Sequence, residues 1–285
     1  MKPAPFQYHA PKTVDETLEL LAEYADDDGR VIAGGQSLVP TMAFRLARPA
    51  HLVDINGIEA LRRLAVDGDA LSIGACVRHA AFHKPAVDGC TGRLLSEVVH
   101  HIAHYPIRTR GTFCGSLAYA DPASEWCLVA ATLDATMVAR SVRGPRQIAA
   151  RDWFQGVMTT ALEPDELLAE VRLPLLPADT RFAFSEYNRR AGDFAIAMVL
   201  ATYRLKNGAM SEPRIGVGGA ETHPRRIAAA EKELDGKAPS AAAFAAAADA
   251  AAAAMDPMED VNTNAEYRRD LVRALTRRAL ERASA

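Results

Sequence analysis

The sequence predicts an α+β fold in three parts: two small α/β units, then a C-terminal α+β domain. In the first half, short apolar strands alternate with amphipathic helices and glycine-rich turns. The proline-rich stretch Leu173-Pro174-Leu175-Leu176-Pro177 is typical of a linker between domains. Beyond it, strand patterns come first and helical patterns follow, which is the order of an α+β domain. We therefore place the three parts at 1–57, 58–176 and 177–285.

The first unit is predicted from its strands and one capped helix. Thr13 and Glu16 have the spacing of a capping box, so a helix is expected to begin there. Val31-Ile32-Ala33 is predicted to be a buried strand that ends at a glycine pair, and His51 to Ile55 a second strand. Ligands in α/β folds bind at the carboxyl ends of strands, so this glycine pair lies where a ligand is expected.

The second unit is predicted to combine strands and helices. Asp67-Gly68-Asp69 indicates a hairpin, and helices are expected over Arg93 to His104 and Trp126 to Leu133. The stretch between these helices, Ile107 to Glu125, is expected to be a loop. Leu167 to Leu173 is predicted to be the last strand of the unit.

The C-terminal domain is predicted to contain a three-stranded sheet and helices. The strands are expected at Phe182 to Tyr187, Ile196 to Leu205 and Arg214 to Gly218. Asn207-Gly208 is a strong signal for a tight turn between the last two. From Pro224 onward the pattern is helical and includes a long alanine-rich run, since alanine has the highest helix propensity.

Composition excludes several classes of function. Hydrophobic residues make up 49% and charged residues 24% of the 285, which is ordinary for a globular protein. The net charge of −3 provides no global basic field for nucleic acid. No run of 18 apolar residues predicts a membrane span. The start, Met1 to Pro5, lacks the apolar core of a signal peptide, so the cytoplasm is the expected compartment.

The sequence offers no metal site and no catalytic side chain. The four cysteines, at 76, 90, 114 and 127, form no C-x-x-C pair, which argues against a zinc site or an iron–sulfur cluster held by this chain. The pairs His79/His83 and His100/His104 are spaced i, i+4, but no further ligand completes either set, so we interpret them as solvated. Since hydrolase and triphosphatase motifs are absent as well, a bound cofactor is expected to supply the chemistry.

Two stretches combine glycine with hydroxyl side chains. The first consists of Val31, Ile32, Ala33, Gly34, Gly35, Gln36, Ser37 and Leu38; the second contains Gly111, Thr112, Cys114, Gly115 and Ser116. Glycine permits positive φ and close approach of a ligand, and converging donors bind anions. Two such loops are suited to the two phosphates of a dinucleotide. The alternative for each is an ordinary strand-to-helix turn.

Ala-Gly-Gly-Gln-Ser near residue 35 and Thr-Phe-Cys-Gly-Ser near residue 114 resemble the two flavin-binding motifs of one family. This family is the FAD-binding medium subunit of the molybdenum hydroxylases, of the xanthine dehydrogenase and carbon monoxide dehydrogenase type. The resemblance extends over nearly the whole chain and includes Leu52-Val53-Asp54-Ile55 and Arg190-Ala191-Gly192-Asp193-Phe194-Ala195. The chain departs from the usual pattern at Cys114, where glycine is common, and at Ser116, where asparagine is common.

The resemblance implies a fold and a role for individual residues. The two N-terminal units would form an FAD-binding domain of the PCMH type, with FAD between them and the C-terminal domain of carbon monoxide dehydrogenase flavoprotein type over the flavin ring. Ala33 to Ser37 and Thr112 to Ser116 would hold the diphosphate through backbone donors. Glu125, or alternatively Asp121, would bind the ribose or adenosine end. The other implied contacts are Ile102 and Leu168 at the flavin, with Tyr187 and Arg190 closing the site.

Asp121 and Leu168 also have purely structural interpretations, and Cys114 carries a separate expectation. Asp121 would otherwise cap the turn before Pro122, and Leu168 would otherwise be an ordinary core residue. Bound diphosphate is expected to cover the Cys114 thiol, which would then react quickly only in the FAD-free protein. Replacing Cys114 by glycine is expected to preserve or improve FAD affinity.

The resemblance also implies a multi-subunit enzyme. A large subunit would oxidise the substrate at a molybdenum cofactor, and a small subunit would relay electrons through [2Fe–2S] clusters to FAD on this chain. From FAD they would pass to an external acceptor, and the assembly would be a dimer of heterotrimers. Two alternatives stay open: a scaffold or assembly subunit that has lost FAD, and a stand-alone flavin oxidase. The substrate and the acceptor cannot be read from this chain.

Overall fold

The computed structural model describes residues 2–261 and 263–285. The N-terminal unit is a parallel three-stranded sheet in the order β1-β3-β2, with helices after the first and second strands. As predicted, Thr13 caps the first helix: its Oγ1 accepts from the Glu16 amide at 3.1 Å, and Glu16 Oε2 accepts from the Thr13 amide at 3.3 Å. The elements are β1 (Gln7–His9), α1 (Val14–Glu23), β2 (Gly29–Ile32), α2 (Leu38–Ala43) and β3 (His51–Asp54).

The second unit is built on an antiparallel five-stranded sheet in the order β4-β5-β10-β6-β7. The predicted hairpin at Gly68 joins its first two strands, and the glycine has a φ of +63°. The elements are β4 (Leu64–Asp67), β5 (Ala70–Gly74), α3 (Cys90–Val98), α4 (Tyr105–Arg108), α5 (Phe113–Tyr119), α6 (Glu125–Thr132), β6 (Thr136–Ser141), β7 (Gly144–Ala149), α7 (Ala150–Trp153), β8 (Phe154–Gly156), β9 (Thr159–Thr160) and β10 (Leu167–Pro174).

The C-terminal domain contains an antiparallel sheet in the order β11-β12-β13-β14, covered by helices. The three predicted strands are present, and a two-residue strand joins them at the edge. Asn207 and Gly208 form the predicted tight turn with φ values of 54° and 81°. The elements are β11 (Arg181–Tyr187), β12 (Ala197–Lys206), β13 (Ala209–Gly218), β14 (Arg225–Arg226), α8 (Ala228–Leu234), α9 (Ala241–Ala253) and α10 (Ala265–Ser284).

Two sequence-based predictions about local structure are wrong. The helix expected over Arg93 to His104 spans Cys90–Val98 instead, and the chain then turns, with Ala103 at a φ of 41°. The Arg108 guanidinium satisfies the carbonyls of Ile102 and Ala103 in this turn, at 2.9 and 3.1 Å. The stretch expected to be a loop before Trp126 contains two helices, α4 and α5.

Helix α6 joins the two halves of the molecule. All eight of its residues are buried, because the helix packs on one side within the N-terminal core and on the other against β12 and β13. Gly216 in β13 permits this approach: a Cβ there would come within 2.9 Å of Leu128 Cδ1. Successive side chains of β11 and β12 point to opposite faces of the sheet and so belong to two cores. Phe184 and Leu200 lie in the larger core, and Ala183 lies in the C-terminal one.

Within residues 2–261 and 263–285, no helix combines the length and the apolar character needed to cross a membrane.

Candidate functional site

The first glycine segment, Ala33 to Ser37, follows the carboxyl end of the edge strand β2 and leads into α2. Its residues are half-buried, apart from Ser37, which is exposed. Gly35 has a φ of +71°, the left-handed region that glycine adopts without strain. The amide nitrogen of the Gln36 side chain donates to the Gly34 carbonyl at 2.9 Å, which closes the turn. Ser37 is the N-cap of α2 but makes no side-chain capping bond, so its hydroxyl remains available to a ligand.

The second glycine segment is the start of helix α5. Thr112 is the N-cap, and its Oγ1 accepts from the Gly115 amide at 3.0 Å. Gly111 and Thr112 lie beside the strand-like residues Val77 to His79, held by the His79 amide to the Gly111 carbonyl and the Phe113 amide to the Val77 carbonyl, both at 3.0 Å. Gly115 and Ser116 are half-buried, and the residues before them are buried.

The two glycine segments touch each other. A Cβ on Gly34 would lie 2.6 Å from the Cα of Gly111 and would also clash with the carbonyl oxygen of Arg110. Only glycine at position 34 permits this approach, since real Cβ atoms do not come so close to backbone. The sequence-based expectation that the two segments lie together is therefore met at the Gly34–Gly111 contact.

A buried histidine lies behind the second segment. His79 Nδ1 accepts from Trp126 Nε1 at 2.9 Å, which leaves the proton of the neutral ring on Nε2. Burial, and secondarily the charge of Arg78, lowers the pKa of His79 to about 3, so the ring is neutral. A Cβ on Gly111 would lie 2.5 Å from His79 Nε2, so this ring abuts the glycine. His79 is therefore a fixed, uncharged wall of the site and not the solvated histidine that we expected.

Glu125, predicted to bind the ribose or adenosine end, begins helix α6 and is 8% exposed. Burial, followed by the negative charge of Glu186, raises the pKa of Glu125 to about 8. Glu186 comes from the C-terminal domain, and its Oε2 lies 3.3 Å from His101 Nδ1. The C-terminal domain thus places a carboxylate close to the predicted cofactor residue.

Asp121, the alternative to Glu125, caps the turn around Pro122, as its purely structural interpretation predicted. Its Oδ1 accepts from the Ala123 amide at 2.9 Å, and its carbonyl accepts from the Ser124 amide at 2.9 Å. Burial raises the pKa of this carboxyl. Asp121 therefore stabilises the turn that leads into α6.

The residues expected at the flavin end occupy different environments. Ile102 and Leu168 are 7% and 3% exposed and belong to the larger core, and Leu168 is next to a register shift in the β10–β6 pairing. Tyr187 ends β11, is 37% exposed and meets Tyr267 edge-on at 6.4 Å between ring centroids. Arg190 is exposed and pairs with Asp193 at 3.1 Å.

The expectation about the Cys114 thiol is wrong. Cys114 is 2% exposed, and its Sγ donates to the Ile73 carbonyl at 3.3 Å, on the core side of α5. Burial raises the pKa of the thiol strongly, so reaction with an alkylating agent is not expected in the FAD-free protein either. A glycine at this position would remove core packing and weaken the helix, so it is not expected to be harmless. Only the backbone of Cys114 remains a candidate to contact a cofactor.

The sequence missed three residues around the glycine segments: Asn56, Arg78 and His79. Arg78 donates to the carbonyl of Arg110 and, at 2.5 Å, to Asn56 Oδ1; Asn56 Nδ2 donates to the Ala33 carbonyl at 2.6 Å. Asn56 directly follows a predicted strand, which was the one signal that pointed to it. No motif marked Arg78, because its partners, the Arg110 carbonyl and the Asn56 side chain, are distant in sequence.

The residues present fit the diphosphate of a dinucleotide. The two segments meet where glycine alone is tolerated, Ser37 and Ser116 offer accessible hydroxyls, and the half-buried guanidinium of Arg78 supplies positive charge. Anions are bound in proteins by this combination of backbone approach, hydroxyl donors and arginine. In the part of the chain that the structure describes, no group of three metal-ligating side chains converges on one point.

Comparison with known proteins defines the class. Residues 4–176 match the family model described as the FAD binding domain in molybdopterin dehydrogenase. Residues 182–283 match the CO dehydrogenase flavoprotein C-terminal domain. The chain therefore belongs to the family of FAD-binding subunits of molybdopterin dehydrogenases.

Individual relatives agree with this assignment. The chain is 38% identical to the nicotine 6-hydroxylase medium subunit of Paenarthrobacter nicotinovorans, over 100% of this chain and 99% of the relative. It is 36% identical to the caffeine dehydrogenase subunit beta of Pseudomonas sp. strain CBB1, over 100% and 96%. A structure of carbon monoxide dehydrogenase from Hydrogenophaga pseudoflava superposes with a TM-score of 0.95 at 36% identity, covering 100% of this chain and 99% of that one. The chain is thus an FAD-binding oxidoreductase subunit of the molybdenum hydroxylase class.

Proposed function

We propose that this subunit takes electrons from [2Fe–2S] clusters of a small partner subunit and delivers them to an external acceptor. A large partner subunit would oxidise the substrate at a molybdenum cofactor. The observation that carries the proposal is the contact between the two glycine segments at Gly34 and Gly111, within a chain that matches the family over nearly its full length. FAD supplies redox chemistry that exchanges electrons in ones or twos, and none of the side chains of this subunit is required as an acid or base.

The residues proposed to hold FAD divide into three groups. One group surrounds the diphosphate through backbone and hydroxyl donors, a second contacts the ribose or adenosine end, and a third borders the flavin. The diphosphate group consists of Val31, Ile32, Ala33, Gly34, Gly35, Gln36, Ser37, Leu38, Gly111, Thr112, Cys114, Gly115 and Ser116. Glu125 and Asp121 form the second group, and Ile102, Leu168 and Tyr187 the third.

The chain's own residues contribute position, burial and charge. The rigid start of α5 fixes Gly115 and Ser116, because the Thr112 side chain and the Val77 to His79 segment hold it from both sides. The C-terminal domain closes over this region: the Gly219 amide donates to the Pro122 carbonyl at 2.8 Å, and Gly192 abuts His104. Such contacts exclude water from a bound ligand, and a dry site strengthens electrostatic interactions.

The arrangement of parts forms the rest of the proposal. We assign FAD binding to 1–57 and 58–176 and the covering role to 177–285, because each segment contains one of the three main sheets. We further propose a cytoplasmic dimer of heterotrimers. The relatives act on nicotine, caffeine and carbon monoxide by name, which supports the view that the substrate is selected outside this subunit.

The test uses the complex that co-purifies with the tagged, complete chain. The complex would be reduced anaerobically with limiting dithionite and then mixed with NAD, a quinone or oxygen, while the flavin and cluster absorbance bands are followed. We expect fast reoxidation by one acceptor in the native complex. After removal of FAD, reoxidation should be slow although the clusters are still reduced, and added FAD should restore the rate.

Two results would contradict the proposal. A colourless complex without FAD would support the scaffold alternative. A purified single chain that reduces an acceptor with an organic substrate, without cluster or molybdenum partners, would support the oxidase alternative.

A further inference from the structure

A continuous series of hydrogen bonds, the polar bridge, connects the two glycine segments. It starts at the Ala33 carbonyl, which accepts from Asn56 Nδ2 at 2.6 Å, and continues from Asn56 Oδ1 to the Arg78 guanidinium at 2.5 Å. Arg78 then donates to the Arg110 carbonyl, next to Gly111. The first half of the bridge belongs to the N-terminal unit and the second half to the five-stranded unit.

The N-terminal end of this bridge is itself fixed. Asp54 Oδ1 accepts from the backbone amide and the side-chain amide of Asn56, at 2.8 and 2.6 Å. Asp54 Oδ2 accepts from the Tyr8 hydroxyl at 2.5 Å. Because the Asn56 side-chain amide donates to both the Ala33 carbonyl and Asp54, its Oδ1 presents a defined acceptor to Arg78, and the position of the guanidinium follows from the sheet.

Arg78 brings a half-buried positive charge to this point without a direct ion pair to a carboxylate in the described part of the chain. The residue is half-buried, and its burial lowers its pKa; the charges of Arg110 and Arg62 act in the same direction, whereas Cys76 and Asp54 act in the opposite one. Within residues 2–261 and 263–285, Arg78 forms no ion pair with a carboxylate. A half-buried guanidinium beside two other arginines is costly unless an anion neutralises it.

Resting on the proposed function, we propose that Arg78 is the positioning residue for the FAD diphosphate. It holds the Ala33 and Arg110 carbonyls at a fixed separation through Asn56, and so sets the width of the gap between the glycine segments. Its positive charge lies beside the same gap, because it donates to the Arg110 carbonyl next to Gly111, and a diphosphate bound in the gap would neutralise it. Arginine suits this role because its planar group donates in several directions at once, which the ammonium of lysine does less well.

The test is a double-mutant cycle on FAD affinity in the complete chain. The variants are Arg78→Met, which keeps the aliphatic stem, Asn56→Ala, and the combination of the two. Arg62→Met is the matched control, since Arg62 donates only to the Asn56 carbonyl, at 2.7 Å, and pairs with Glu59 at 3.6 Å. Dissociation constants for FAD would be measured by isothermal titration calorimetry, and folding would be checked by circular dichroism and by thermal unfolding of the FAD-free protein.

We expect Arg78→Met to weaken FAD binding by roughly 10- to 100-fold, as is typical for hydrogen bonds that involve a charged group. Arg62→Met should change the affinity by less than about 3-fold, a surface effect. The effects of Asn56→Ala and Arg78→Met should be strongly non-additive, because each breaks the same bridge. Arg78→Lys should recover part of the affinity, since lysine restores the positive charge but not the planar group that donates in several directions.

The outcomes separate this inference from the proposed function. Additive losses, or an Arg78→Met chain that binds FAD as tightly as the unsubstituted one, would overturn the positioning role while FAD binding stands. If Arg78→Met does not fold, Asn56→Ala and Arg78→Lys decide in the same way, with unchanged affinity in both overturning the inference. An unsubstituted chain that binds no FAD would overturn the proposed function and this inference with it.

Discussion

The two glycine segments each contain two glycines and a serine but differ in structure. Ala33 to Ser37 is a half-exposed turn after an edge strand, and its Ser37 hydroxyl makes no capping bond. Gly111 to Ser116 is a largely buried helix start in which Thr112 makes such a bond. The surroundings account for the difference, because β2 lies at the edge of a three-stranded sheet whereas α5 lies between a paired segment and the buried helix α6.

The glycines themselves serve different needs in the two segments. Gly34 permits backbone contact with Gly111, whereas Gly35 provides a positive φ of 71°. Gly111 leaves room for the His79 ring, at 2.5 Å from a built Cβ. A Gly-Gly or Gly-hydroxyl pattern therefore marks a place where a side chain is not tolerated, but only the neighbours show whether backbone, ring or ligand occupies the space.

The largest expected effect breaks the contact between the segments. Gly34→Ala adds a Cβ that would lie 2.6 Å from the Cα of Gly111, so one segment must move. We expect FAD affinity to fall by more than about 100-fold, the loss typical when a binding site loses its geometry by about 1 Å. The dissociation constant, measured by calorimetry on the complete chain, is the readout.

Gly57→Ala is the matched control for this substitution. Gly57 lies after β3 and has no positive φ, and a Cβ there would make only ordinary contacts, with Lys12 Nζ at 3.6 Å and the Pro11 carbonyl oxygen at 3.9 Å. FAD affinity should stay within about 2-fold of the unsubstituted chain, as for surface changes in general. A Gly34→Ala chain with the same affinity as Gly57→Ala would show that the contact between the segments is irrelevant to FAD.

Much of the fold followed from the sequence because its signals are local. The Thr13 cap, the Gly68 hairpin and the Asn207-Gly208 turn each depend on neighbouring residues and were confirmed. The end of α3 at Val98 was missed, since Arg108, ten residues further on, satisfies the carbonyls that follow it. Helix α5 was missed because its glycine-rich composition obscured the Thr112 cap and because contacts with residues 77–79, distant in sequence, hold the helix start in place.

The candidate site was predictable only in part. Motif resemblance located both glycine segments, and the structure brings them into contact at Gly34. The direction of the Cys114 thiol was wrong, since helical geometry turns that side chain into the core. The roles of Arg78 and Asn56 could not be predicted because the two residues bond each other and backbone carbonyls 22 to 32 residues away, a pairing without a sequence signature.

The second expected effect tests the burial of Glu125, which follows the second, largely buried glycine segment. The pKa of Glu125 is about 8 in the folded chain against an ordinary 4.5. Between these values the folded state binds more protons than the unfolded state, so the free energy of unfolding falls as the pH rises. Glu125→Gln removes this penalty, and the FAD-free variant should be more stable than the unsubstituted chain by on the order of 3 kcal/mol at pH 7.

Urea unfolding at a series of pH values measures this effect. Near pH 5 both chains carry an uncharged side chain in the folded state, so the difference in the free energy of unfolding should fall to about 1 kcal/mol or less there and grow toward pH 8. A difference that stays constant across this range would mean that Glu125 is ionised in the folded chain. Its burial would then have no effect on its charge.

The smallest expected effect compares the hydroxyls of the two segments directly. Thr112→Ala removes the acceptor of the Gly115 amide at the start of α5, and loss of such a cap typically costs about 1 kcal/mol of unfolding free energy. Ser37→Ala should cost close to nothing in the FAD-free chain, because Ser37 makes no capping bond. Thr112→Ser, which keeps the oxygen, is the control for the first substitution. Urea unfolding of the FAD-free chain gives these values. In calorimetry with FAD, Ser37→Ala should weaken FAD binding, because the exposed Ser37 hydroxyl is free to bind the ligand. Equal losses of stability at both positions would show that the two segments are structurally equivalent despite their different burial.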